Sequence, residues 1–166
     1  MYKIIASFNA LVIIVATVAV LTTSTADGHS HSTVKKNGSQ PIDRYDEYAL
    51  AKQNWMLNCQ GCHKPGGEGL PESGMPTLVG QISLFLTVEG GREYLTQVPG
   101  VTNNSIPDEE LASLLNWLLY EFDSDGIPEN FIPYSGEEIS KLRGKPLGAN
   151  ATEMRAKLLQ NINAPE

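Results

Sequence analysis

The sequence has few cysteines and few basic residues, and both shortages limit what the protein can be. Only 12 of the 166 residues are Lys or Arg, against 19 Asp or Glu, which gives a net charge of −7. Nucleic-acid binding rests on clustered basic residues, so we expect no nucleic-acid partner. The acidity is compatible with docking on a basic protein surface, or with solubility alone.

Long apolar runs are also lacking, except near the start of the chain. Residues 10–21 are almost all apolar, Lys3 precedes them, and small polar residues lead from them to Ala26. This order is typical of a secretory signal peptide. We therefore expect residues 1–26 to be removed and the mature protein to be periplasmic. The alternative is an uncleaved membrane anchor, although Asn9 interrupts the span of about 20 apolar residues that an anchor needs.

The segment after the signal peptide has no apolar periodicity. Residues 27–41 are polar and contain Gly, Ser and Pro, which predicts a flexible linker. His29 and His31 are spaced so that they could chelate a metal ion, but a solvated linker is the simpler interpretation.

Helical periodicity begins at residue 42. The pattern predicts a helix over residues 42–57 with its aromatic residues in the core, a Gly/Pro loop over 64–80 and a short helix over 92–98. A third helix is expected after Ser105, which we interpret as its N-cap. Its predicted apolar stripe consists of Leu111, Leu114, Leu115, Leu118 and Phe122.

The sequence pattern of residues 123–166, the final part of the chain, predicts two short helices. Ser135 with Glu138 forms a capping-box pattern at the first, and Asn150 with Glu153 opens the second. Neither helix is long enough to be stable alone. We expect this C-terminal extension to pack on the preceding domain or to fray; docking of a partner is the alternative.

The two cysteines, Cys59 and Cys62, lie two residues apart and are followed by His63. In an exported protein such a pair can form a disulfide or a redox dithiol. The adjacent histidine instead favours c-type haem attachment, with two thioether links to one porphyrin edge and an imidazole directed at the iron.

From residue 43 to residue 122 the sequence resembles the class I c-type cytochromes. The shared features are a helix, the Cys-x-x-Cys-His run, a Gly/Pro loop, a short helix and a final helix. The resemblance implies an all-α fold around one covalent haem c, in a cytochrome c domain over residues 42–122. It also implies that His63 is the proximal iron ligand and that the carbonyl of Pro76, thirteen residues later, orients its ring.

The distal side departs from the family pattern, which places a methionine before the last helix. Residues 87–107 contain none, so the distal ligand is left open. Met75 lies beside Pro76, which the resemblance places on the proximal side, and Met154 would have to reach over from the extension. If neither methionine ligates the iron, the distal pocket would be lined by polar residues: Tyr94, Gln97, Asn103 and Asn104. Arg92 is expected to pair with a haem propionate or to remain a solvated surface residue.

Two functions of different classes follow. An electron carrier with an unidentified redox protein partner is the first; a haem protein whose open sixth site binds a small ligand such as a diatomic gas is the second. An enzyme is the least favoured, because no histidine is available to act as a distal acid or base. Membrane attachment is expected only if the signal segment is not cleaved.

Overall fold

The computed structural model describes residues 41–164, with side chains from residue 44 onward, and the regular structure in that range is helical. The expected signal peptide and nearly all of the expected linker lie outside the described residues. The α-helices are α1 (Pro41–Asn58), α2 (Gln60–His63), α3 (Gly91–Gln97), α4 (Pro99–Thr102), α5 (Asp108–Asp123), α6 (Gly136–Arg143) and α7 (Ala151–Ile162). Short 3-10 turns lie at Pro71–Ser73, Ser83–Thr87, Ser124–Gly126 and Gly148–Asn150. No helix in this part of the chain is both long and apolar enough to span a bilayer.

Helices α1 and α5 form the central packing contact. Ala51 and Trp55, one turn apart on α1, are both 2% exposed. The prediction that every aromatic residue of this helix is core is wrong, because Tyr45 and Tyr48 are 75% and 47% exposed. The Tyr48 ring packs edge-on against Trp117 of α5, and its hydroxyl donates to Glu121 in an exposed hydrogen bond, so its polar end stays in water.

The start of α5 differs from the sequence prediction in one respect. The N-cap position is Pro107 rather than Ser105, and no side chain caps the helix. Asn104 makes the turn instead, since its Oδ1 accepts a hydrogen bond from the Ile106 backbone N at 2.9 Å. The predicted apolar stripe is confirmed, with its leucines buried and Phe122 half-buried.

The C-terminal extension completes the core rather than fraying. Helix α6 packs on α3 and α5, and α7 packs on α3 and on the Ser83–Thr87 turn. Ile139 and Leu158 are 0% and 3% exposed. The described residues accordingly belong to one unit, Asn37–Glu166. The N-cap at Ser135 is present, since its hydroxyl accepts from the Glu138 backbone N at 3.2 Å.

Arg92 has neither of its expected roles. Its Nε and Nη2 donate to the two carboxylate oxygens of Glu138 at 2.6 and 2.7 Å, and its Nη1 donates to the carbonyl of Ile132. The guanidinium also lies 4.1 Å from the ring centroid of Tyr134. Its hydrogen bond with Glu138 raises the pKa of Arg92. Arg92 therefore joins α3 to the extension.

Candidate haem site

The two cysteines and the histidine lie on one helical turn. The backbone N atoms of Cys62 and His63 both donate to the carbonyl of Cys59, at 3.1 and 3.0 Å. Both thiols are free, Cys59 half-buried and Cys62 exposed, so the disulfide alternative is not what this structure contains. Burial, and secondarily the neighbouring Cys62, raises the pKa of the Cys59 thiol to about 11. The turn thus presents two thiols and one imidazole together.

His63 is held in one orientation by a backbone acceptor. Its Nδ1 lies 3.2 Å from the carbonyl oxygen of Pro76, the contact that the resemblance implies. A carbonyl only accepts hydrogen bonds, so Nδ1 carries the proton and Nε2 keeps its lone pair for a metal. Burial lowers the pKa of His63, and the Pro76 carbonyl opposes this effect. The hydrogen bond at Nδ1 and the lowered pKa both favour a neutral imidazole whose Nε2 can ligate a metal.

The loop that presents Pro76 is fixed by backbone hydrogen bonds at close range. Gly69 N donates to the His63 carbonyl at 2.9 Å, and Leu78 N donates to the Gly67 carbonyl at 2.7 Å. Gly69 has a φ of +72°, and a Cβ there would collide with the Pro76 carbonyl group. Sequence reasoning did not single out this glycine; the only signal was the loop's high glycine content.

Trp55 forms the wall behind the histidine. Its indole Nε1 donates to the Pro65 carbonyl at 3.2 Å, and its ring centroid lies 6.1 Å from that of His63 and 4.9 Å from that of Phe122. The Gly67 Cα also lies against the Phe122 ring, where a Cβ would approach to 3.0 Å. The site is therefore built on the α1–α5 contact.

The residues of this site fit a covalently attached haem. The donor set is one oriented imidazole and two thiols one turn apart. Apolar side chains of the adjoining segments have exposed surface that a macrocycle could cover: Met56 is 51%, Leu57 73% and Val79 47% exposed. Among the described residues no group of three or more His, Cys, Asp or Glu side chains offers a different metal site.

The expected distal candidates are dispersed. Met75 is paired through its backbone with Leu70, in the same turn that presents Pro76. Met154 lies on α7 and packs, half-buried, against the core. Tyr94 is 7% exposed and stacks on Phe85 with a centroid separation of 4.9 Å, which makes it a core residue.

The polar residues of the same region also have structural contacts. The backbone carbonyl of Gln97 accepts a hydrogen bond from Leu147 of the extension at 3.0 Å. Asn103 is the C-cap residue of α4, and Asn104 makes the turn before α5.

The chain is similar in sequence to cytochrome c-552 of Thermus thermophilus, with 34% identity over 107 residues, or 54% of this chain and 81% of that protein. A second Thermus thermophilus cytochrome c-552 is also 34% identical, over 72% of its length. No protein-family model matches the sequence. The chain therefore belongs to the class I c-type cytochromes, the family of cytochrome c-552. Members of this family carry one covalently bound haem c and act as electron carriers.

Proposed function

We propose that this protein is a monohaem electron carrier of an exported redox chain. In this proposal Cys59 and Cys62 hold the haem through thioether links, and His63 ligates the iron through Nε2. The observation that carries the proposal is the 3.2 Å contact from His63 Nδ1 to Pro76. The bound haem supplies iron that cycles between two oxidation states. The protein supplies a fixed imidazole, an apolar wall at Trp55 and covalent retention of the cofactor.

Export and a protein partner complete the proposal. The apolar run within residues 1–26 supports secretion and a periplasmic location, with membrane attachment only if that segment stays uncleaved. The net charge of −7 supports docking on a basic surface of a redox protein, because opposite charge speeds association. It also supports the absence of a nucleic-acid partner.

Haem attachment can be tested by substituting one thiol. We expect Cys62→Ala, produced with a haem-ligation system, to weaken or abolish the haem colour that stays with the polypeptide on a denaturing gel, because one of the two thioether links is gone. Gly61→Ala is the matched control: it lies between the cysteines, and a Cβ there would meet nothing within 4 Å. Colour that runs with the solvent front from the unaltered protein would contradict the assignment.

A second function is favoured by one specific observation. The turn that pairs Met75 with Leu70 also presents Pro76 to the histidine, and residues 87–107 contain no methionine. With Met75 on the histidine's side, no thioether from either segment is placed for the sixth coordination position. This supports a haem protein with an open or weakly ligated sixth site that binds a diatomic gas.

Carbon monoxide tests whether the sixth coordination position is open. We expect the ferrous protein to bind carbon monoxide readily at neutral pH, and Met75→Leu to leave the absorption spectrum nearly unchanged. Met56→Leu, on α1, is the control for a general effect of replacing a methionine. A low-spin His/Met spectrum that Met75→Leu abolishes would place Met75 on the iron and leave only the electron-carrier function.

A further inference from the structure

A continuous series of aromatic rings connects His63 with the protein surface. The centroid separations are 6.1 Å from His63 to Trp55, 6.3 Å from Trp55 to Trp117 and 5.9 Å from Trp117 to Tyr48. Each is an ordinary distance for packed aromatic pairs. Trp55 and Trp117 are 2% and 7% exposed, whereas Tyr48 is 47% exposed. The series therefore begins at the candidate iron ligand and ends in solvent.

Among the described residues, a carboxylate lies beside the outer end of this series. The Tyr48 hydroxyl donates to Oε2 of Glu121 at 2.9 Å. The indole Nε1 of Trp55 donates to a carbonyl, which is not a base, and the buried Nε1 of Trp117 has no hydrogen-bond partner among the described residues. Both tryptophans can pass an electron without giving up a proton, and Tyr48 can give up both.

Tyr48 is also accessible to small molecules. It lines, with Trp117 and Tyr120, a surface groove of about 470 Å³ between α1 and α5. A soluble one-electron reductant can therefore reach the ring of Tyr48, which is 47% exposed, far more readily than those of Trp55 and Trp117, which are 2% and 7% exposed.

We propose that His63, Trp55, Trp117 and Tyr48 form an electron relay that delivers a second electron when the ferrous protein reduces a peroxide; the proposal rests on the open sixth site proposed above. Reducing hydrogen peroxide to two waters breaks its O–O bond and consumes two electrons and two protons. One electron would come from the haem iron, which Cys59, Cys62 and His63 would hold and which would be ferrous at the start and ferric at the end. Tyr48 supplies the other through Trp117 and Trp55, and its phenolic proton passes to Glu121. The two protons that the waters require come from solvent.

The tyrosyl radical left at Tyr48 is then repaired from outside. A one-electron reductant in the groove returns the electron, and Glu121 returns the proton, so Tyr48 is restored and the protein is not consumed. Division into three short steps matters because electron transfer slows steeply with distance. The arrangement moves an oxidising equivalent away from the buried residues of the site to a place where solvent reductants can remove it.

The experiment mixes the ferrous holoprotein with hydrogen peroxide, freezes the sample rapidly and records its electron paramagnetic resonance spectrum. We expect a tyrosyl radical, identified by its change in line shape in protein made with ring-deuterated tyrosine. Tyr48→Phe should abolish the signal, and Trp117→Phe should remove most of it. Tyr120→Phe is the matched control, since Tyr120 is a 57% exposed tyrosine of the same groove whose ring packs on Phe131, outside the relay.

A second variant tests the proton step without altering a ring. Glu121→Gln keeps a hydrogen-bond acceptor for the Tyr48 hydroxyl but removes the base, so we expect a reduced radical yield in a normally folded protein. Covalent haem and carbon monoxide binding are measured on every sample. If the unaltered protein lacks either, the proposed site is wrong and the relay with it. If both are present and the radical persists unchanged in Tyr48→Phe, the relay alone is overturned.

Discussion

At the scale of single residues, the position of the histidine ring depends on a glycine that carries no chemistry of its own. Gly69 is buried, has a positive φ and lies directly against the Pro76 carbonyl that accepts the proton of His63 Nδ1. A residue with a side chain would face both an unfavourable backbone conformation and a collision. The position of the Pro76 carbonyl, which accepts the hydrogen bond from His63, thus depends on the close approach of the Gly69 backbone rather than on a side chain.

Gly69→Ala tests this dependence. We expect it to lower the free energy of unfolding by about 2–4 kcal/mol, as left-handed strain and overpacking add, and to alter the absorption spectrum by displacing Pro76 from His63. The matched control is Gly74→Ala, which has a φ of +76° but nothing within 4 Å of its Cβ. In the control, only the backbone strain should lower the free energy of unfolding, by about 1–2 kcal/mol, and the absorption spectrum should not change. Equal effects of the two variants in urea titrations and in spectra would refute the argument.

At the scale of elements, two arginine ion pairs join the extension to the cytochrome core in the described residues. Arg92 of α3 pairs with Glu138 of α6 with both side chains 28% exposed. Arg143, at the end of α6, pairs with Asp108 at 2.9 Å and also donates to the carbonyls of Asn104 and Ile106. The bonds of Arg143 hold the short segment that precedes α5, where the family carries its distal methionine.

Glu138→Gln should weaken this attachment. The amide carries no charge and replaces one acceptor oxygen by an NH2 donor, which cannot accept from Arg92, so we expect the free energy of unfolding to fall by about 1.5–3 kcal/mol. Glu137→Gln is the control, because Glu137 also lies in the first turn of α6 but is exposed and makes no ion pair among those found in the described residues. Urea titrations of the two variants measure the difference. Equal stabilities would show that the pair contributes nothing beyond a surface ion pair.

At the scale of the whole molecule, two buried tyrosines make stability depend on alkaline pH. Burial is the main cause that raises the pKa of both Tyr94 and Tyr134; Arg155 and Arg92, respectively, oppose it. Unfolding returns each phenol to its ordinary pKa of about 10. The pKa values of the two phenols are higher in the folded state than in the unfolded state. The stability that the neutral phenols contribute is therefore complete below about pH 10 and is lost as the pH rises towards the folded-state pKa values.

We therefore expect the free energy of unfolding to fall above about pH 10, by up to about 1.4 kcal/mol per pH unit for each buried phenol. Tyr134→Phe should reduce the slope, although it also costs about 1 kcal/mol at neutral pH by removing the hydrogen bond to the Arg92 carbonyl. Tyr45→Phe, at a 75% exposed position, should keep the full slope. Urea titrations at several pH values, followed by circular dichroism, provide the measurement. A slope unaffected by Tyr134→Phe would remove this residue from the explanation.

The helices and the attachment turn could be predicted from the sequence because their signals are local. Periodic apolar residues indicated α1, α3 and α5 to within a few residues, and the spacing of Cys59, Cys62 and His63 indicated one turn of helix. The family resemblance supplied Pro76, whose contact with the histidine spans thirteen residues of loop and is invisible to periodicity.

Tertiary structure alone decided the partners of residues far apart in the chain. From its sequence context Arg92 was expected to pair with a propionate or to remain solvated; the packing of α6 on α3 instead placed Glu138 beside it, 46 residues later. The same holds for the ring series from His63 to Tyr48, which exists only because α1 and α5 cross at Trp55 and Trp117. Local sequence determines which residues form a helix and which face is apolar, whereas the groups that meet across that face depend on how the helices pack.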